Sequence, residues 1–249
     1  MRQYGLIGYP LTHSFSKKYF TEKFEKENVC SSYLNFEIDT IEKLPGVIMN
    51  NPDLIGLNVT IPYKEKVIAY LDELDPSAKN IGAVNTIKIL RPKNKNTLKG
   101  YNTDIFGFKN SLLPLLKDHH QKAMILGTGG ASKAVKFVLN ELGIDFISVS
   151  RKLKDDFTIS YNEITEKLIA GHHVIINTTP LGTFPKTDRS PDIPYHLLTE
   201  KHLLYDLVYN PEVTQFMKQG KDRGANVKNG YEMLLLQAQK SYEIWNTKE

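Results

Sequence analysis

The chain has 249 residues, of which 24% are charged and 41% hydrophobic, so it can form one large domain or two modest ones of ordinary globular composition. Its 16 glycines and 12 prolines are too few for a collagen-like or low-complexity chain. The 32 basic and 28 acidic residues leave a net charge of +4, without the basic block that is typical of nucleic-acid-binding arms.

The sequence predicts a cytoplasmic protein. It contains no run of 18 apolar residues, so no membrane-spanning helix is expected. Glycine and proline break the first apolar stretch, which disfavours a signal peptide. Cys30 is the one cysteine, which excludes an internal disulfide and a cysteine-rich metal site. We therefore expect a small-molecule ligand, and no metal, nucleic-acid or membrane partner.

Apolar runs that predict strands alternate with helical patterns along most of the chain. In chain order, the first half predicts a strand at 3–9, a helix at 17–28, strands at 33–38 and 54–59, a short helix after Pro62, and paired strands at 85–90 and 97–101. From Lys122 the rhythm begins again, with a strand, a glycine-rich turn and a helix, then strands at 146–150, 174–179 and 203–208. This alternation predicts an α/β fold with mainly parallel sheets.

The renewed pattern at Lys122 predicts two α/β lobes, joined by a helix over 104–116. A last helix over 230–245 has one apolar stripe, but the spacing does not tell which lobe it contacts. Three prolines make 183–194 a loop.

A glycine-rich turn follows the predicted strand that ends at Leu126. Gly127 permits a tight turn, Gly129 lets a phosphate approach the backbone, and the next helix directs its N-terminus at the phosphate. Ser132 stands where a third glycine is frequent. The pattern predicts dinucleotide binding; its alternative is a purely structural turn.

The next strand ends in Ser150, Arg151 and Lys152 rather than in an acidic residue. An acid here would bind the ribose hydroxyls of NAD, whereas a guanidinium suits the 2′-phosphate of NADP. A solvated basic turn is the alternative.

Four stretches of the first lobe, at 13–16, 58–64, 82–86 and 100–108, are more polar than their surroundings. Ligands of α/β proteins bind at the carboxyl ends of strands, where Asn58 and Thr60 are predicted to lie. Lys64 opens the next predicted helix, where the helix dipole disfavours a positive charge. An ammonium group in such a place gives up its proton more readily, which suits general acid–base work. Together these stretches supply the amide, hydroxyl, ammonium and carboxylate groups that a polyhydroxylated ligand needs.

Each of these residues also has a structural interpretation. Ser14 or Ser16 is more often a helix N-cap than a ligand, and Asp104 has the same alternative. Lys64 is equally compatible with an ordinary surface lysine. The residues alone leave these alternatives open.

In their combination and order, these stretches resemble the shikimate dehydrogenase family from residue 5 to 238. The motifs that carry the resemblance are GLIGYPLTHSFS, GLNVTIPYK, GAVNT, GYNTDIFGF, GTGGASKAV, NTTPLG, YDLVYNP and NGYEMLLLQA.

The resemblance implies an oxidoreductase that reduces 3-dehydroshikimate to shikimate with NADPH, reversibly, on the route to chorismate and aromatic amino acids. It implies an N-terminal substrate domain at 1–102 plus 229–249 and a Rossmann-type NADP domain at 103–228, with the last helix packing back on the first lobe. A monomer or a homodimer is expected.

The resemblance also assigns residues. Lys64 and Asp104 match the catalytic pair. Substrate contacts match Ser14, Ser16, Asn58, Thr60, Lys64, Asn85, Asp104, Tyr209 and Gln237. Cofactor contacts match Gly127, Gly129, Gly130, Ala131, Ser150, Arg151, Lys152, Thr178, Val208, Gly230 and Met233.

The chain departs from the family's usual residues at Lys17, Ser150, Lys152 and Asn229. Two of these positions flank Arg151, so NAD or dual cofactor use by a quinate/shikimate dehydrogenase is the alternative function. A non-catalytic NADP- or shikimate-binding regulator is disfavoured, because Lys64 and Asp104 are both present.

Overall fold

A computed structural model describes residues 1–11, 15–91, 96–151 and 158–247. The chain divides into two compact units, one made of Met1–Thr103 with Ala238–Glu249 and the other of Asp104–Gln237. Residues 229–237, which the sequence places with the first domain, are grouped here with the second unit.

The first unit contains a six-stranded mixed sheet among the described residues. Its strands are β1 (Arg2–Gly8), β2 (Ser31–Glu37), β3 (Leu54–Val59), β4 (Glu73–Leu74), β5 (Thr86–Leu90) and β6 (Thr97–Tyr101), in the order β2-β1-β3-β5-β6-β4. Its helices are α1 (Phe15–Lys26), α2 (Leu44–Asn50) and α3 (Pro76–Ile81), with 3₁₀ turns at Ile41–Lys43 and Lys66–Tyr70. Only β5 runs antiparallel to its neighbours β3 and β6, and the other five strands share one direction, so the expectation of a mainly parallel sheet is confirmed.

In the described part of the second unit, six strands form a parallel sheet. Its strands are β7 (Lys122–Leu126), β8 (Asp145–Val149), β9 (Thr158–Ile159), β10 (Val174–Asn177), β11 (Leu203–Asp206) and β12 (Asn226–Lys228). Its helices are α4 (Asp104–Leu112), α5 (Gly130–Glu141), α6 (Glu166–Gly171), α7 (Gln215–Lys221) and the first part of α8 (Tyr231–Asn246), with 3₁₀ turns at Leu113–Leu115, Tyr161–Glu163 and Tyr195–Leu197. The strand order β9-β8-β7-β10-β11-β12 is the Rossmann order, which reverses between β7 and β10.

The C-terminal part of α8 packs on the first unit, as the resemblance predicts. Trp245 joins a buried aromatic cluster with Tyr4 and Phe20, and its indole N–H donates to the Ile87 carbonyl at 2.9 Å. A Cβ at Gly56 would lie 2.3 Å from the Trp245 ring, so this strand position requires glycine. The buried Lys88 ammonium donates to the Thr247 carbonyl at 2.7 Å, which caps the end of the helix.

Several short elements differ from the sequence expectations. The helix predicted after Pro62 is the 3₁₀ turn Lys66–Tyr70, and α4 ends at Leu112 because Pro114 lacks the N–H that would continue it. Helices α2, α3 and α7 are additional. A signal for α3 exists in the sequence, since Asp75 caps it and Gly82 ends it in a left-handed conformation.

Among the helices of the described ranges, none combines the length and apolar character needed to cross a membrane.

Candidate active site

Three of the polar stretches of the first unit meet at the carboxyl ends of β1 and β3. The Val59 N–H donates to the Asn85 carbonyl at 2.8 Å, and the Val84 N–H donates to the Lys64 carbonyl at 2.7 Å. The Asn85 N–H donates in turn to the Tyr101 carbonyl at 3.0 Å. These backbone bonds bring the segments 58–64, 82–86 and 101–103 together.

Asn58 and Asn85 are buried within this assembly, at 5% and 3% exposure. The Asn58 amide donates to Ser241 Oγ at 3.1 Å and, at 3.3 Å each, to the Asn85 carbonyl and Thr86 Oγ1. Buried amides need such partners, because an unsatisfied polar group away from water costs about 1–3 kcal/mol. The Asn85 side chain is held as well, because its Oδ1 accepts from the Thr103 N–H at 2.7 Å. The protein therefore fixes the orientation of both side chains.

Ser16 lies in the first turn of α1 and reaches this assembly through Tyr33. The Tyr33 hydroxyl donates to Asn58 Oδ1 at 2.7 Å, and Ser16 is hydrogen-bonded to the same hydroxyl. Burial raises the pKa of Tyr33, so it stays a neutral phenol. Ser16 is inside the helix rather than at its N-cap, and Ser14 lies outside the described residues.

Thr60 and Lys64 follow β3. The Thr60 N–H donates to the Ile7 carbonyl at 3.0 Å, which places this residue beside the end of β1. Lys64 lies in a turn two residues before the 3₁₀ segment and does not open a helix, so the argument from a helix N-terminus is wrong. Its side chain is half-buried. Asp104 is the first residue of α4 in the second unit, where a carboxylate is also favoured by the helix dipole.

The glycine-rich turn joins β7 to α5 in the second unit. Gly127 has φ +106°, and a Cβ there would lie 2.8 Å from Thr178 Oγ1. Gly129 is the N-cap of α5 and Gly130 its first residue, and a Cβ on either would meet no atom within 4 Å. Ala131 follows in the first turn, where Ser132 donates from its hydroxyl to the Gly129 carbonyl at 2.6 Å. An open, side-chain-free helix N-terminus at the point where the strand order reverses fits the phosphates of a dinucleotide.

Ser150 and Arg151 come directly after β8, next to this turn. The hydroxyls of Ser150 and Thr128 are 3.3 Å apart, and Arg151 is exposed. Burial raises the pKa of Tyr161, and the nearby charge of Arg151 partly opposes this rise. Lys152 lies outside the described residues.

Asp206 was not singled out in the sequence, yet it organises two loops at this edge of the sheet. It is fully buried and accepts hydrogen bonds from Thr214 Oγ1 at 2.5 Å, Asn177 Nδ2 at 2.9 Å and the Val208 N–H at 3.0 Å. Asn177 Oδ1 accepts from the backbone and hydroxyl of Thr179, at 3.0 and 2.7 Å. The carboxylate thus fixes the loops that carry Thr178 and Val208.

The remaining predicted residues lie around the start of α8 and after β11. The Gly230 N–H donates to the Val208 carbonyl at 3.1 Å. Tyr209, which follows Val208 in the chain, is exposed. Met233 and Gln237 are buried on α8, and a Cβ at Gly107 of α4 would lie 2.4 Å from the Met233 carbonyl. Close contact between α4 and α8 therefore depends on Gly107.

A sequence model of the shikimate dehydrogenase substrate-binding domain matches residues 6–87. The NADP⁺-dependent shikimate dehydrogenases of Clostridium beijerinckii and Methanosphaera stadtmanae are 42% and 37% identical to the chain over 98% of its length, and the matches cover 92% and 91% of those proteins. The chain belongs to the shikimate dehydrogenase family.

Solved structures of family members have the same fold. The Thermus thermophilus shikimate 5-dehydrogenase in complex with NADP(H) and shikimate matches with a TM-score of 0.84 at 30% identity, covering 99% of this chain and 94% of that one. The chorismate mutase/shikimate 5-dehydrogenase fusion protein of Clostridium acetobutylicum matches with a TM-score of 0.86 at 35% identity, covering 99% and 91%. The two-lobe α/β fold expected from the resemblance is confirmed.

Proposed function

We propose that this chain is an NADP-dependent shikimate dehydrogenase, which interconverts 3-dehydroshikimate and NADPH with shikimate and NADP⁺. The observation that carries the proposal is the buried polar assembly of Asn58, Asn85 and the Lys64 turn at one sheet edge, in a chain of this family. Amide and hydroxyl groups held in fixed orientations suit a ring that carries several hydroxyls, because each group then pairs with one ring oxygen.

Within this proposal the first unit binds substrate. Ser16, with Ser14, holds the ring carboxylate, while Asn58, Thr60 and Asn85 hold the ring hydroxyls. The hydrogen bonds that the Asn58 amide makes within the protein fix its orientation for this role. Tyr209 and Gln237 are further proposed substrate contacts.

The second unit holds the cofactor in this proposal. The pyrophosphate would bind at the glycine-rich turn, to Gly127, Gly129, Gly130 and Ala131. The 2′-phosphate would bind to Ser150, Arg151 and Lys152. The nicotinamide half would lie against Thr178, Val208, Gly230 and Met233. Bound NADPH supplies the hydride that reduces the C3 carbonyl carbon of the substrate.

Lys64 and Asp104 serve the proton side of the reaction. In the direction of reduction, the Lys64 ammonium gives its proton to the C3 oxygen as that oxygen gains negative charge, and in oxidation the amine takes the proton back. Asp104 hydrogen-bonds the same part of the ring and orients it. A cation beside the developing oxyanion also stabilises the transition state.

The test is the absorbance at 340 nm after mixing the protein with shikimate and NADP⁺. We expect it to rise with shikimate and NADP⁺, and to rise far less with quinate or with NAD⁺. Equal rates with quinate and NAD⁺ would favour the quinate/shikimate alternative. No change with any pair, in a folded protein, would contradict the proposed enzyme function.

A further inference from the structure

Three buried hydroxyl groups of the first unit lie next to the side chains of Asn58 and Asn85. Thr86 Oγ1 is 2.8 Å from Ser241 Oγ, Ser241 Oγ is 3.1 Å from Thr103 Oγ1, and the two threonine hydroxyls are 3.3 Å apart. All three residues are at most 1% exposed. We name this group the hydroxyl triangle. It combines residues from β5, from the segment before α4 and from α8, which are far apart in sequence.

The hydroxyl triangle is bounded by groups whose hydrogen-bonding roles are unambiguous. Asn85 Oδ1 lies 2.7 Å from the Thr103 backbone N–H, which can only donate, so the Asn85 atom there is the oxygen. Asn58 Nδ2 lies 3.3 Å from the Asn85 backbone carbonyl, which can only accept, so the Asn58 atom there is the nitrogen.

These boundaries give the hydroxyl protons a direction. The hydroxyls of Thr86 and Thr103 both donate to Asn85 Oδ1 at 3.1 Å, and the Asn58 amide donates to Ser241 Oγ at 3.1 Å. Ser241 Oγ also lies within hydrogen-bond distance of both threonine hydroxyls, at 2.8 and 3.1 Å, and so joins them. The Asn85 oxygen is occupied by three donors, and its NH₂ group points to the opposite side of the planar amide.

We propose that the hydroxyl triangle of Thr86, Thr103 and Ser241 positions Asn85 so that it meets the substrate as a hydrogen-bond donor. This inference rests on the proposed function. The partner of Asn85 is then an oxygen that accepts, such as a ring hydroxyl oxygen or the C3 carbonyl oxygen. Ser241 is a positioning residue of α8, acting through the hydroxyl network rather than through substrate contact.

The Thr86 position offers a matched pair of variants. Thr86→Val keeps the shape of the side chain and removes the hydroxyl, whereas Thr86→Ser keeps the hydroxyl and removes a methyl group. We expect Thr86→Val to raise KM for shikimate and the calorimetric Kd for shikimate about threefold to tenfold, the range of one lost hydrogen bond. Thr86→Ser should stay within twofold of wild type. KM for NADP⁺ should be unchanged in both.

Ser241→Ala provides the second variant, because it leaves the bonds from both threonines to Asn85 in place. We expect a rise in KM and Kd for shikimate that is smaller than in Thr86→Val, because Asn85 keeps both threonine donors and loses only the hydroxyl that holds them. Ser111→Ala is the control: it also removes a buried hydroxyl, but from the second unit, where Ser111 lies 2.6 Å from the Tyr205 hydroxyl. The control should alter thermal stability without changing shikimate binding.

Shikimate binding that is unchanged in Thr86→Val and in Ser241→Ala would overturn the inference alone. So would equal losses in Thr86→Val and Thr86→Ser, because packing rather than the hydroxyl would then matter. A folded wild-type protein that neither oxidises nor binds shikimate would overturn the proposed function, and the inference with it.

Discussion

The backbone N–H of Thr103 donates a 2.7 Å hydrogen bond to the side-chain oxygen of Asn85. Thr103 directly precedes Asp104, the first residue of α4. The side chain proposed to bind substrate therefore also holds the backbone that leads into Asp104, the proposed orienting member of the catalytic pair, so disturbing Asn85 should affect both binding and turnover.

Lys64 is expected to matter for turnover more than for binding. Lys64→Ala should lower kcat about 10²–10⁴-fold, the usual effect of losing a general acid–base group, with a much smaller change in KM for shikimate. Lys66→Ala, which removes an exposed positive charge two residues later, is the control and should keep kcat. A fall in kcat of less than about fivefold in Lys64→Ala would exclude the proton-carrying role.

Two glycines of the glycine-rich turn should affect different properties of the protein, Gly127 its folding stability and Gly129 its cofactor binding. Gly127→Ala should destabilise the protein by about 1–3 kcal/mol, because φ is +106° and the new Cβ would meet Thr178. Gly129→Ala should leave stability nearly unchanged, since its φ of −81° suits any residue and the space is open. Its KM for NADP⁺ should nevertheless rise at least about tenfold, because the methyl group occupies the phosphate's approach. Denaturant melts and cofactor titrations of both variants check this, and tight NADP⁺ binding by Gly129→Ala would contradict it.

Arg151 should determine cofactor choice. Arg151→Ala is expected to raise KM for NADP⁺ about 10–100-fold while KM for NAD⁺ stays nearly constant, because NAD⁺ lacks the 2′-phosphate. High salt should reduce the difference, since an exposed guanidinium is screened. Arg223→Ala, an exposed charge just before β12, controls for net charge. Equal losses for both cofactors would instead assign Arg151 a structural role.

Asp206 should make stability depend on pH in the acid range. Burial raises its pKa to about 6, opposed by the hydrogen bonds from Thr214, Val208 and Asn177. In the unfolded chain the pKa is about 3.9, so between pH 4 and 6 the folded state binds more protons. The raised pKa of Asp206 therefore stabilises the folded state fully below pH 4, and this stabilisation is lost as the pH rises through 6. The free energy of unfolding of the wild type, relative to Asp206→Asn, should fall by about 2–3 kcal/mol from pH 4 to 7. A pH-independent difference between the two proteins would contradict the assignment.

Two buried histidines of the second unit should make stability depend on pH in the direction opposite to that of Asp206. His120 and His202 are buried, and each Nδ1 accepts a backbone N–H at 3.0 Å, from Lys117 and Thr199 respectively. Burial lowers the pKa of both, and neighbouring His173 lowers them further. Protonating Nδ1 would remove the acceptor, so their contribution is present above pH 6.5 and lost as pH falls. Urea melts at pH 7.5 and 5.5 should show less acid destabilisation in His202→Gln than in wild type, by up to about 1.4 kcal/mol, the largest value that one proton can contribute over this range. Identical pH profiles would contradict this.

The sequence alone predicted most long elements, because they have clear periodicity: β1, β3, α5 and α8 lie within a few residues of the expected bounds. The glycine-rich turn and its helix were equally readable, since their chemistry is local. Helix α2 was not predicted, and the segment after Lys64 was expected as a short helix rather than as a 3₁₀ turn, because a few residues have too weak an intrinsic preference and tertiary contacts decide their form.

The hydroxyl triangle and the bonds around Asp206 could only come from the tertiary structure. Thr86, Thr103 and Ser241 are ordinary polar residues in sequence, separated by up to 155 positions, and nothing local marks them as partners. Their hydroxyls meet because α8 returns to the sheet of the first unit, where Trp245 packs against Gly56. Once buried there, each hydroxyl has to be satisfied by another polar group, and this requirement, which is absent in the unfolded chain, selects the network.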